Sequence, residues 1–325
     1  MAKIGGTQVN VGIGIEATAG TAVAATVFPK WAELSMQAVS DKTMLKSARG
    51  IRAESSDSRV RRQYSKGSLA VIPNNVNSVP LFYLALGSLS SSSISDSAYT
   101  HTISVQDANA SMKTGTVIIE QGSEVTERFA NVVVDTLNLE VSDDYAKLTA
   151  GLIGAYPDTS TLTESFAQQT EFAYSDYTAK FGTSFSNASG NSATPLKALS
   201  LNINNNVLVD EAFLSGAVTP VAGGFVGGRL SITGSYTLHF NGTTELDKYK
   251  ANTKNALIIT FTGALIGSSS TQSLTIKLGK LILTAPPKEY NLDGLVILKQ
   301  EFSVEHDPTD GLISVVGVNT TATYA

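Results

Sequence analysis

Alternation of apolar and polar residues at every second position constrains this chain more than any other feature. In Arg229–Phe240, Leu230, Ile232, Tyr236, Leu238 and Phe240 fall on one side, and Ser231, Thr233, Ser235, Thr237 and His239 on the other. Leu295–Glu305 places Val296, Leu298, Phe302 and Val304 against Lys299, Glu301, Ser303 and Glu305. Val133–Ser142 opposes Val133, Leu137, Leu139 and Val141 to Thr136, Asn138, Glu140 and Ser142. Successive strand side chains point to opposite faces, so such segments are half-buried strands. Helix signals are confined to two short segments. Val79–Leu86 has Ser78 as cap, Pro80 in its first turn and Gly87 as stop. Glu245–Asn252 is opened by Thr244 with Asp247 three residues on, a capping-box spacing, and Leu246 and Tyr249 are expected to face the core.

The order of these elements repeats. The first half reads as a strand near 32–39, a long loop, a strand at 67–73, a helix at 79–86, and strands near 98–105, 114–121, 132–142 and 145–154. The second reads as a strand at 197–206, a loop at 207–228, a strand at 229–240, a helix at 245–252, and strands near 256–266, 273–284, 295–305 and 312–322. The offset stays near 160 residues, which predicts two tandem units. Their expected bounds are 1–165 and 197–325, joined by a linker at 166–196, and a length of 325 residues accommodates both. Residues 1–34 read as an extended arm with a short strand near Val9–Ile15. Ser88–Ser97, Thr183–Thr194 and Ser268–Ser273 read as Ser-rich loops.

Charge is sparse and uneven. Charged residues are 16 % of the chain, against about 25 % in ordinary domains, so much of the surface is available for contact with other protein. Lys42, Lys46, Arg49, Arg52, Arg59, Arg61, Arg62 and Lys66 crowd one polar stretch, opposed only by Glu54 and Asp57. That segment carries +6 of a net −5, leaving −11 over the other 300 residues. The stretch at 41–66 has no apolar period and reads as a long loop with an assembly role. Nucleic-acid binding is the weaker reading, because Tyr64 is its only aromatic residue and the chain as a whole is acidic.

Chemistry-bearing patterns are otherwise absent. With no Cys, disulfides, thiolate nucleophiles and Cys-ligated zinc are excluded. Glu305-His306-Asp307 with Asp310 fits no EF-hand or zinc spacing, and DPTDG at 307–311 reads as a turn. His101, His239 and His306 are far apart in sequence, and His101 alternates with apolar residues, so it is expected on a core face. Gly12-Ile13-Gly14 and the glycines at 223–228 lack the context of a phosphate-binding loop. Neither an enzyme nor a cofactor is expected. The opening MAKIGGTQVN lacks the apolar core of a signal peptide, and no run approaches 18 apolar residues. The expectation is a soluble protein, made and kept on the cytoplasmic side, with no membrane partner.

Several segments carry a resemblance: VGIGIEATAGTAVAATVFPKW, RFANVVVDTLNLEV, the helix opener FNGTTELDKY and the ending VEHDPTDGLISVVGVNTTATYA, whose Asp-x-x-x-Gly turn precedes an apolar strand containing Asn319. Together they resemble the tail tube proteins of tailed phages, over most of the chain. The resemblance implies a mainly β fold of two tail-tube-like β-sandwich or barrel units, each with one short helix, joining neighbours into a β-barrel ring. It implies a structural virion protein that stacks rings into the tail tube, a negatively lined channel through which the genome is ejected. Other tail proteins (tape measure, tail tip, terminator) would be partners, and double-stranded DNA would pass without specific binding. The duplicated order favours three chains in a pseudo-six-fold ring over six chains. An open sheet edge is an aggregation liability that closure across subunits removes. A polyanion slides past weak negative potential, whereas Lys and Arg would grip it. Glu120, Glu140, Glu301 and Glu305, on the polar sides of their strands, are the candidate acids facing the lumen. The basic stretch would then meet an acidic neighbour, setting register and association rate, so that assembly weakens with salt. The alternative function is a β-sandwich binding module, such as a capsid decoration protein or an adhesin.

Overall fold

The computed structural model describes residues 4–46, 50, 52–95, 97–106, 111–122, 124–166, 170–240, 242–285, 288–289 and 295–324. Strands β1 (Val9–Ile15), β2 (Trp31–Leu34), β3 (Gln37–Leu45) and β4 (Asp57–Val71) precede helix α1 (Ser78–Leu86). β5 (Gly87–Ser93), β6 (Tyr99–Val105), β7 (Gly115–Gln121), β8 (Val125–Val141), β9 (Lys147–Gly154) and the short β10 (Asp158–Thr159) follow. Then come β11 (Tyr177–Gly182), α2 (Phe185–Gly190), β12 (Ala198–Asn204), β13 (Ser231–His239), α3 (Thr244–Lys250), β14 (Asn255–Ile266) and β15 (Ser270–Ala285). β16 (Lys288–Glu289), β17 (Ile297–Glu305) and β18 (Ile313–Asn319) end the chain. The fold is mainly β, as the alternation predicts. The strands form one antiparallel network that bends along the long strands β8 and β15.

One pairing order occurs twice. The first run is β1–β7–β8–β9–β4, with β2 and β3 on the last edge. The second is β11–β14–β15–β17–β13–β12. The chain visits the corresponding positions in the same sequence, and a helix (α1 or α3) links the fifth strand to the second.

Local irregularities coincide as well. A β-bulge separates Val134 from Thr136 opposite Leu152 and Gly151, and another separates Leu283 from Ala285 opposite Phe302 and Glu301. On the next strand a glycine stands opposite Leu152 or Phe302: Gly67 or Gly234. Each permits close backbone approach, since a Cβ on Gly67 would lie 2.5 Å from the Ser35 carbonyl oxygen and one on Gly234 2.4 Å from that of Ser200. The offset is 167 residues from Gly67 to Gly234 but 150 from Leu152 to Phe302. The drop arises because the β5–β6 hairpin interrupts only the first run. The strand at 98–105 therefore has no counterpart near 256–266. Those at 132–142 and 145–154 correspond to β15 and β17, one strand earlier than a uniform offset places them.

The main core is an apolar cluster spanning both runs. All nine residues of α1 are buried, the expected state of a helix apolar on every side. It packs on β1, β5, β6 and β8, and Gly317 of β18 lets Val79 approach, since a Cβ there would lie 2.6 Å from Val79 Cγ2. Gly87 ends the helix at φ 88°, a left-handed cap that glycine adopts without penalty.

Local expectations change at several points. The stretch 41–66 is a β-hairpin rather than a loop: β3 pairs β4 from Gln37–Lys66 to Leu45–Asp57. Its outer part is exposed on both faces, so no apolar period marks it. Ser-rich 88–93 is edge strand β5, and 185–190 forms α2, capped by the Ser184 hydroxyl, which accepts from Asn187 N at 3.2 Å. Val133 leaves the core face because the bulge at Asp135 shifts the alternation. It packs with Ile153, Ala212 and Phe225 in a second cluster. Finally, α3 starts after Thr243 rather than through a Thr244–Asp247 box; its cap residue makes no side-chain hydrogen bond, and Asp247 N donates to Thr243 O at 2.7 Å.

Candidate functional site: a polar sheet face and a basic arm

The β4–β9–β8–β12–β13–β17 part of the sheet buries one face and leaves the other polar. Leu137, Leu139, Leu199, Leu201, Ile203, Ile232, Tyr236, Leu298 and Phe302 point into the core. The opposite face is built of cross-strand rows. One row runs Glu140–Ser200–Ser235–Glu301, and the next runs Asn138–Asn202–Thr233–Ser303. Glu140 and Glu301 are exposed, three strands apart, a spacing of about 14 Å. Lysines interrupt the acids: Lys147 stands opposite Glu140 and pairs with Glu33 at 2.5 Å, and Lys299 lies two residues from Glu301. The side chains of this face are mostly small and polar, and its charge is weak.

Of the four candidate acids, the fold brings Glu140 and Glu301 into one row. Glu305 lies at the end of the same face, ion-paired to Lys254 at 2.6 Å. Glu120 is elsewhere, on β7, where it accepts from Asn10 Nδ2 at 3.5 Å. Asn10 also bonds Glu164, whose carboxyl is raised by desolvation first and by Glu120 second.

The basic residues lie along the hairpin. Lys42, Arg59, Arg61, Arg62 and Lys66 are on β3 and β4, and Lys46 and Arg52 flank the tip. Arg49 lies outside the described residues. Beyond Ser65–Gly154, the last pair with β9, β4 has only β3 as strand partner among the described residues. The eight residues from Asp57 to Tyr64 thus form an arm about 25 Å long. Lys46 pairs with Glu54 at 2.7 Å, both exposed, a contact of little energetic weight. Among the described residues, Lys42, Arg52, Arg61 and Lys66 have no ion-pair partner, and Met44, Leu45 and Val60 are exposed beside them.

At the arm's base the 207–228 segment folds back. Arg62 pairs with Asp210 and lies 4.9 Å from the Phe213 ring centroid. Phe213 meets the Tyr64 ring edge-on at 6.0 Å, and Gln63 N donates to Val218 O at 2.7 Å. Burial first, then Asp41, raises the Tyr64 hydroxyl above its ordinary value.

Two buried polar hubs hold this framework. Glu16, at the end of the VGIGIE segment, accepts from Asn131 N (2.8 Å) and Thr116 Oγ1 (2.9 Å) on one oxygen and from Gly20 N (2.7 Å) on the other. Asn131, at φ 53°, uses its side chain to reach Val221 O (3.2 Å) and Gly223 N (3.1 Å) of the folded-back segment. Sequence reasoning assigned Glu16 no role; the mark was a lone carboxylate following an apolar strand. His101 is fully buried, as its alternation predicts. Its Nε2 faces Thr321 O at 2.9 Å and Asn319 Oδ1 at 3.1 Å, and its Nδ1 faces Ser91 Oγ at 2.8 Å. Burial lowers its pKa.

The DPTDG segment is a turn: Asp307 and Gly311 exchange backbone hydrogen bonds, with Gly311 at φ 78°. The Asp307 carboxylate accepts from Thr309 N and Asp310 N and pairs with Lys280, which holds its pKa at about 2. Among the described residues no group of three or more His, Asp or Glu side chains could hold a metal ion, and no helix is long and apolar enough to cross a membrane.

What the geometry offers is a broad polar sheet face and a projecting charged ribbon, surfaces suited to assembly. Residues 6–305 match the family described as phage tail tube protein, and the chain belongs to that family. Membership gives it a structural role in the tail of a bacteriophage virion, in assembly with itself and with other tail proteins. No curated protein sequence matches it.

Proposed function

We propose that this chain assembles into rings that stack as the tail tube and enclose a channel for genome ejection. Each chain supplies two equivalent units, the first near 1–165 and the second beginning at β11 (Tyr177–Gly182) rather than at 197, so that three chains make a pseudo-six-fold ring. The observation that carries this reading is the doubled pairing order, with its matching bulges and glycines. Each run offers four strands with a polar outer face: β2/β3–β4–β9–β8 and β12–β13–β17–β15. Six such units make a barrel of twenty-four strands. At about 4.8 Å per strand and a tilt of about 40°, its backbone diameter is about 48 Å. Subtracting about 5 Å of side chain on each wall leaves about 38 Å, ample for a DNA duplex about 20 Å wide. A ring with half as many strands would leave about 14 Å and exclude it.

In this reading Glu140 and Glu301 face the channel, Glu305 lies toward its rim, and Glu120 stands outside the row. The lysines among the acids keep the lining weakly charged, so a polyanion is not held. The basic arm reaches an acidic surface of a neighbouring subunit or ring. Catalysis, metal and cofactor have no part in it.

Electron microscopy of the purified protein at rising concentration, at low and high salt, tests the reading. Hollow rings or tubes are expected, with three-fold rotational symmetry. Arg59→Glu/Arg61→Glu should raise the concentration needed for assembly at least tenfold at low salt, with thermal unfolding of the monomer unchanged. Compact monomers under every condition would refute self-assembly and favour a β-sandwich binding module.

A further inference from the structure

The two pairing runs are alike, yet their outer edges are not equally occupied. β12 pairs with β13 on one edge and with Thr136–Val141 of β8 on the other. β2 and the start of β3 hold the same place in the first run, and among the described residues they pair only with β4. The counterpart of β8's occupied edge is open too. From Ile282 to Ala285, and again at Lys288–Glu289, the described backbone pairs only with β17. Unpaired edges of this kind invite another strand.

We infer that these two open edges are the halves of one junction between consecutive copies of this chain, in the register of the β8–β12 junction inside it. The inference rests on the ring reading above and adds to it the pairing partner of each residue. Correspondence is fixed twice on one side: Val134 and Leu283 stand opposite Leu152 and Phe302, and Leu139 and Lys288 stand opposite Leu148 and Leu298. Both pairs give an offset of 149 residues, one before the bulge and one after it. On the other side, Ser35 and Ser200 are the residues whose carbonyls crowd Gly67 and Gly234, an offset of 165. Inside the chain Ser200 stands opposite Glu140, Leu201 opposite Leu139 and Asn204 opposite Thr136. Between copies the same register sets Ser35 opposite Glu289, Met36 opposite Lys288 and Val39 opposite Ala285. The contact joins unlike edges, so it propagates from copy to copy until the rotation closes. A slip of one residue would turn every side chain to the wrong face, so the register is a sharp claim.

The chain has no cysteine, so pairwise cross-linking is free of background. Residues opposite one another in an antiparallel pair have Cα atoms about 4.5–5.5 Å apart, within the span of about 4.4–6.8 Å that a disulfide bridges. Ser35→Cys/Glu289→Cys and, at the other end of the register, Val39→Cys/Ala285→Cys are each oxidised after assembly and run on a non-reducing denaturing gel. Both should convert single chains into covalent multiples that end at the closed ring. Ser35→Cys/Ala285→Cys, displaced by four residues or about 13 Å, should remain single. Glu140→Cys/Ser200→Cys should close within one chain and serves as the positive control. Tubes seen by microscopy without either ladder, or a ladder from the displaced pair, would overturn the junction while leaving the ring reading intact. Absence of rings and ladders together would overturn both.

Discussion

Replacing Glu16 with Ala should be among the most damaging single changes in this protein, although Glu16 touches no proposed interface. Its carboxylate is the acceptor for Thr116 Oγ1, Asn131 N and Gly20 N. Thr116 and Asn131 are buried, and Gly20 is half-buried. Each buried donor left without a partner costs about 1–3 kcal/mol, whereas the Gly20 amide can turn to water. Two stranded donors give about 4 kcal/mol. With an unfolding entropy of about 2.1 cal/mol/K per residue over 325 residues, the melting temperature should fall by about 6 °C. Glu16→Gln keeps one carbonyl oxygen but turns an NH2 toward one of the donors, and should cost about half as much. Thermal unfolding followed by circular dichroism, with urea midpoints as a second measure, reads both variants. A Glu16→Ala loss below about 1 kcal/mol, or a Gln variant as unstable as the Ala variant, would refute the count of stranded donors.

Two further outcomes follow from buried geometry. His101 has a folded-state pKa below the usual value of about 6.5, because burial disfavours its charge. The folded state therefore binds fewer protons than the unfolded one, and stability should hold above about pH 6.5 and fall as pH drops through the folded-state pKa. Thermal scans from pH 8 to 5 should show that decline, and His101→Gln should flatten it while lowering the plateau. Gly234→Ala places a Cβ 2.4 Å from Ser200 O and 2.5 Å from Phe302 Cζ. It should cost about 2–3 kcal/mol, within the range of overpacking, read as a urea midpoint shift, while Gly190→Ala should cost less because no atom lies within 4 Å of a Cβ at that position.

Most of the sheet was legible in the sequence because burial on one side leaves a period of two. β13, β17 and the end of β8 show it plainly, with Ile232, Tyr236, Leu298 and Leu139 inside and their polar neighbours out. Legibility failed where no side was buried. The β3–β4 arm alternates nothing, since both its faces meet solvent, and β5 is an edge strand made almost wholly of serine. It failed again at Val133, where one extra residue at Asp135 reverses the alternation without any mark in composition. Of the candidate site, residue types and strand faces were legible; the meeting of Glu140 with Glu301 was not. That row depends on three successive pairings, spanning 60, 35 and 66 residues of chain, which spacing alone does not fix.

The two runs share their scaffold and differ in one connection, and the difference has a consequence for the proposed ring. Between the sixth and fifth strands, the second run folds residues 207–228 back over the face of the first. Ala212 and Phe225 cover Val133 and Ile153 there, and Asp210 meets Arg62. The junction inside the chain is thereby sealed. The same connection in the first run is the basic ribbon, which meets its own chain at its base through Arg62, Gln63 and Tyr64 and whose outer part is exposed on both faces. In the proposed junction between copies it is carried toward the second run of a neighbour. There the position of Val133 is taken by Ile282 and that of Ile153 by Ser303, with Glu301 and Glu305 alongside. An apolar cover suits the apolar pair inside the chain, and a cationic ribbon suits the acids between chains. The charge gathered between Lys42 and Lys66 is, on this account, the counterpart of the apolar side chains of Ala212 and Phe225.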